Sequence, residues 1–150
     1  MTTRRQAREA ALGVLFELDL GKGRIEEALG PLRAQGWSRD DWALIDELVH
    51  GTRRHADEID ALIRDVAEHW TLERMATVDR NVLRMAIFEL QHTETPIGVI
   101  INEAVELAKQ YSTEESGRFV NGMLGRIAED VRSDDDGASG CETHDEAPPP

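Results

Sequence analysis

The chain is expected to fold entirely into α-helices, and three observations carry that expectation. Apolar residues recur every three to four positions through almost all of the first 131 residues, which builds one face of a helix. No stretch of useful length alternates apolar and polar residues as a half-buried strand would. Capping residues, glycines and prolines fall where the periodic tracts begin and end. Together these predict an all-α fold of about seven helices in two small packed helical bundles.

Thr2 and Thr3 are placed to cap a first helix running to about Leu20, with Ala11, Leu12, Leu15 and Leu18 inward and Gly21 as its stop. Arg4 and Arg8, four apart, share a face, and Arg5 can pair with Glu9. Arg24 to about Ala34 forms a shorter helix with Ile25, Leu29 and Leu32 as its stripe, and Pro31 leaves its end open. Ser38 starts a third tract, with Asp40 and Asp41 at the end of the helix dipole that favours anions. Its stripe from Trp42 through Ile45, Leu48, Val49, Ile59 and Ile63 to Trp70 is long for one helix. A break is therefore expected at Gly51, with one helix to about His50 and another from about Thr52 to Trp70.

Thr71 to Met75 reads as a short helical turn, and Thr77 then caps a helix bearing Val82, Leu83, Ala86, Ile87 and Leu90. Pro96 closes that tract, because the residue before a proline avoids helical geometry. Ile100, Ile101, Ala104, Val105 and Ala108 then line one face of a helix that stops near Tyr111. Ser112 and Glu115 have the spacing of a capping box, which would open a last helix carrying Phe119, Val120, Leu124, Ile127 and Val131. Such a junction sets Tyr111, Glu115 and Phe119 near one another.

Residues 1–132 are the expected folded domain. From Ser133 onward Asp, Glu, Gly, Ser and Pro dominate and the apolar period ends, so residues 133–150 are expected to be a disordered acidic tail, most simply a solubilising one. The chain carries 17 basic and 30 acidic residues, a net charge of −13. The tail holds six of the acids and no Lys or Arg, which leaves −7 on the rest, 17 basic against 24 acidic. An acidic body repels nucleic acid in general, so any RNA contact needs a local cationic patch or a basic partner. No apolar run is long enough to cross a membrane, no signal-peptide pattern follows MTTRRQAREA, and the single Cys141 has no partner for an internal disulfide. A cytoplasmic protein is expected.

No catalytic set is legible: there is no Gly-rich phosphate loop, no Cys/His cluster and no nucleophile motif, and the acids fall on polar helix faces. Glu47 with His50 and Glu89 with His92 have the Glu-x-x-His spacing of di-iron bundles. Bundle ligands face inward, whereas His50 and His92 point away from the apolar stripes, so neither a metal nor a cofactor is expected. Arg4, Arg5 and Arg8, with Gln6 among them, can hold phosphate or can be an ordinary solvated helix start. Cations there oppose the helix dipole, so helix stability alone does not account for them.

Two motifs, RRQAREAALGVLFELD near the N-terminus and INEAVELAKQY followed by FVNGML in the last third, resemble the NusB family of transcription antitermination proteins. The resemblance runs from Arg4 to about Val131 and implies that family's all-helical fold without catalysis. It implies an adaptor that binds boxA RNA together with ribosomal protein S10 and joins RNA polymerase and other Nus factors, so that the polymerase passes terminators in ribosomal RNA operons. Residue by residue, it places Arg4, Arg5, Gln6, Arg8 and Phe16 on the RNA side, with Gln110, Tyr111, Glu115 and Phe119 from the helix junction. Asp79 and Arg84 fall on the S10 side. Phe16 could equally be core, and Asp79 could simply partner a helix dipole. Glu115 can accept hydrogen bonds from base amino groups but repels phosphate, which suits reading an exposed base. Two alternatives stand beside this reading: a protein-only helical adaptor, and a relative of the N-terminal domain of RNA cytosine methyltransferases without their catalytic domain. Monomer and homodimer are both open.

Overall fold

The computed structural model describes residues 3–21, 23–67 and 71–145, with side chains described as far as Arg132. The readings made on Thr2, Trp70, Cys141 and residues 146–150 lie outside these described groups. The elements are α1 (Arg4–Asp19), α2 (Ile25–Arg33), α3 (Arg39–Arg54), α4 (Ala56–Val66), a short 3-10 helix (Leu72–Arg74), α5 (Thr77–His92), α6 (Ile97–Tyr111) and α7 (Glu114–Asp145). Among the described residues there is no strand, and no helix is long and apolar enough to cross a membrane.

Helix α5 is the shared centre. It packs against α1 and α3 on one side and against α4, α6 and α7 on the other, joining two helical bundles through one continuous core. Its sequence explains the position, because Val82, Leu83, Met85, Ala86, Ile87, Phe88 and Leu90 are all buried, an apolar circumference rather than a stripe. Around it stand the expected faces: Ala11, Leu12, Leu15 and Leu18 of α1, Ile100, Ala104 and Ala108 of α6, and Val120, Leu124 and Ile127 of α7.

The helix ends show which local signals decide. Thr3 caps α1 through a reciprocal box: its hydroxyl accepts from the Gln6 amide at 3.1 Å while the Gln6 side chain accepts from the Thr3 amide at 2.9 Å. Ser38 caps α3, accepting from the Asp41 amide at 3.1 Å. Pro31 forgoes one backbone bond but does not end α2, which continues to Arg33.

Four boundaries differ from expectation. The long third tract breaks at His55, not at Gly51, because Gly51 is inside α3 and makes room for a neighbour: a Cβ there would run into the Phe88 ring. Thr77 is the first residue of α5, and Ala76 holds the cap position without a side-chain bond. The last helix is capped by Thr113, whose hydroxyl accepts from the Ser116 amide at 2.9 Å, so Ser112 and Glu115 form no box. Ser112 instead meets the Ser116 hydroxyl at 2.9 Å. The helical backbone of α7 continues to Asp145, beyond the Ser133 boundary read from composition, although no large apolar residue follows Val131.

Candidate nucleic-acid interface

The small, buried Ala7 and Ala11 seat α1 in the core, where it packs on α3 and α5, and Arg5 reaches across to Glu103 of α6. This sets the arginines in three different environments. Arg4 has a side chain 56% exposed and donates to the Asp40 carbonyl at 3.4 Å, with Asp41 at 3.8 Å. Arg5, 48% exposed, grips Glu103 of α6 through two parallel bonds of 2.9 Å. That hydrogen bond and charge raise the Arg5 pKa above its ordinary value and lower that of Glu103. Arg5 therefore pairs across helices and not with Glu9 of its own helix. Gln6 is exposed, its side chain engaged in the cap.

Arg8 does not share the exposed face of Arg4. One turn further along, α1 is covered by α5 and α6, and the Arg8 guanidinium is buried with Glu89 at 3.1 and 2.7 Å. A residue read as a surface phosphate ligand is thus the buried half of an internal ion pair. Glu89, Asp79 and Asp41 are likewise buried, contrary to the expectation that the acids occupy solvated faces.

Tyr111 ends α6 and is 47% exposed, with the Glu9 carboxylate of α1 in its neighbourhood. Partial burial, and then the nearby negative charge of Glu9, raise its pKa. Gln110 beside it is exposed. Phe16 is half-buried and outside the core cluster.

Beyond the junction, Glu115 and Phe119 share an open groove of about 590 Å³ with Met75, Ala76, Asp79 and Arg118. Asp79 is 8% exposed, and its Oδ2 accepts from the Ser116 hydroxyl at 2.9 Å while its Oδ1 is buried without a hydrogen-bond partner. Burial raises its pKa, and the hydrogen bond from Ser116 opposes that shift. The structure thus sets Asp79, read as an S10 residue, in the same groove as Glu115 and Phe119, read as RNA residues. Arg84 is elsewhere and engaged: it forks onto Asp60 of α4 at 2.9 and 3.1 Å and stands 3.4 Å from Asp19 of α1. Sequence reasoning did not single out Glu103 or Arg118, although Glu103 lies inside the INEAVELAKQY motif.

The Glu-x-x-His pairs do not act as units. Glu89 is committed to Arg8, and His50 stands 3.4 Å from both Glu26 and Asp46. Among the described residues, His55, Glu58 and His92 form a separate cluster of potential metal ligands at the α3–α4 corner.

Comparison with known proteins agrees with this architecture. The chain is 45% identical over 131 residues to the transcription antitermination protein NusB of Anaeromyxobacter dehalogenans, covering 85% of this chain and 92% of that protein. It is 48% identical over 132 residues to the NusB of Salinispora tropica, covering 86% and 97%. Among solved structures, T. maritima NusB superposes with a TM-score of 0.79 at 38% identity, covering 85% of this chain and 92% of that one. A chain from a complex of the antitermination factors NusB and NusE with dsRNA superposes with a TM-score of 0.72 at 32% identity, covering 84% and 96%. The NusB family model matches residues 5–129, nearly the whole of the packed helical body from α1 into α7, and the chain belongs to the NusB family.

Proposed function

We propose that this chain is a transcription antitermination factor, a cytoplasmic adaptor without catalysis. In this reading it binds boxA-type RNA jointly with ribosomal protein S10, and within a complex with RNA polymerase and other Nus factors it supports processive transcription of ribosomal RNA operons. The names of its relatives and the NusB–NusE–dsRNA complex support this reading, NusE being S10. The observation that carries it is a meeting of distant segments. The exposed Arg4 and Arg5 lie on α1, Arg5 is bonded to Glu103 of α6, and Tyr111 at the end of α6 leads directly into the junction that opens the groove.

The chemistry follows from those placements. Arg4 and Arg5 can exchange their present acceptors for phosphate oxygens, and a guanidinium fork suits such two-point contacts. The exposed Tyr111 ring offers a stacking surface for an unpaired base. Glu115 at the groove can accept from a base amino group, with Arg118 nearby to offset its charge. Arg8 acts through Glu89 by fixing α1 on α5. A basic partner reduces the repulsion between RNA and a chain of net charge −13.

Fluorescence anisotropy of labelled boxA RNA, with and without S10 and at two salt concentrations, tests this. Arg4→Glu/Arg5→Glu should weaken binding by about tenfold or more and flatten the salt dependence by roughly one to two contacts. A flat signal with and without S10 would overturn the RNA reading in favour of a protein-only adaptor.

A further inference from the structure

His92 lies 34 and 37 positions from Glu58 and His55 in the sequence, yet the ligand atoms of the three all fall within 4.8 Å of one another. His55 is the corner residue between α3 and α4, Glu58 sits in the first turn of α4, and His92 is the last residue of α5. Glu58 bridges the two imidazoles, with Oε1 3.3 Å from His55 Nδ1 and Oε2 3.7 Å from His92 Nε2. The two rings stack with centroids 3.9 Å apart and planes 20° from parallel. Phe88 backs them, its centroid 5.4 Å from His92 and 6.1 Å from His55.

We propose that His55, Glu58 and His92 form a binding site for a divalent transition-metal ion of the zinc class. The donor set is two imidazoles and a carboxylate, which suits zinc and its borderline neighbours and not calcium or magnesium, whose sites are built from oxygen. In a tetrahedral site with bonds of about 2.0–2.1 Å, neighbouring donor atoms stand roughly 3.3 Å apart. The two carboxylate–imidazole separations are already near that value, and the stacked, nearly parallel rings have to turn so that their in-plane lone pairs converge on the ion. The three side chains are between 28% and 51% exposed, leaving a fourth position to water or to a ligand from a partner. Binding would tie the α3–α4 corner to the end of α5. His50 is not part of the site, since its Nε2 is held between Glu26 and Asp46. Arg54 lines the same surface and opposes a cation, which limits the affinity. This inference rests on residues outside the RNA and S10 surfaces, so it stands or falls separately from the proposed function.

The test is Zn²⁺ titration of the full chain by calorimetry and thermal shift, with Co²⁺ absorption as the probe of coordination. Cys141 and His144 offer a rival site in the tail, so a Cys141→Ser/His144→Asn variant is included. The expected result is one ion per chain, a raised Tm and a tetrahedral Co²⁺ spectrum. His55→Asn and His92→Asn should each weaken uptake by about tenfold or more, while His50→Asn and the tail variant should leave it unchanged. Circular dichroism confirms that the half-exposed variants remain folded. Absence of binding at millimolar metal, binding that survives His55→Asn/His92→Asn, or loss of binding in the tail variant would each overturn the proposal.

Discussion

Arg8 and Glu89 meet as two parallel bonds inside the body, with side chains 6% and 3% exposed. A buried pair of this kind gives little net stability over an apolar pair of the same size, but removal of one partner strands the other charge in a poorly polarisable medium. Arg8→Met is therefore expected to cost about 3–5 kcal/mol, and Arg8→Met/Glu89→Leu to recover most of it, as measured by urea unfolding. A double variant as unstable as the single one would refute this account. The same pair separates positioning from contact: RNA binding by the folded double variant should keep its salt slope, whereas Arg4 and Arg5 substitutions reduce it. From the sequence, Arg8 is one of three similar arginines. Its burial follows from α5 carrying Glu89 at the matching height, 81 positions away.

At the level of elements, α5 is held by close approaches that periodicity does not report. Gly51 of α3 admits the Phe88 ring, which in turn supports the stacked His55 and His92. In an isolated helix Gly51→Ala would stabilise by roughly 1 kcal/mol. Here the new methyl meets a ring hemmed in on its other side, so the net effect is expected to be a loss of about 1–2 kcal/mol in chemical denaturation. Adding Phe88→Leu should narrow that loss relative to Phe88→Leu alone, since the two sites touch. The sequence shows Gly51 and a tract too long for one helix, and it suggests a break there. The break falls instead at His55, because a glycine marks either a turn or a close contact and only the neighbouring helix decides which.

Across the whole molecule, charge and folding are separable. Among the described residues, the packed core ends with Ile127 and Ala128, and Val131 is the last hydrophobic residue against it. Removal of residues 133–150 is expected to shift Tm by less than about 2 °C while taking the net charge from −13 to −7. Affinity for RNA should rise a few-fold at low salt and converge with the full chain at high salt, because the gain is screened. A large fall in Tm would mean that the extension of α7 packs on the body. By itself the sequence determined the all-helical fold, the seven helical tracts apart from the break between α3 and α4, the start of α3 at Ser38, and the two motifs that mark the family. Those signals act over three or four residues, or lie in contiguous runs, and so are written locally. Only the tertiary structure decided that Arg8 is spent on Glu89, that Arg5 holds Glu103 across 98 positions, and that Asp79 shares a groove with Glu115 and Phe119. Helical periodicity states which residues share a face, but the environment of a charged residue at the edge of that face depends on which other helix covers it.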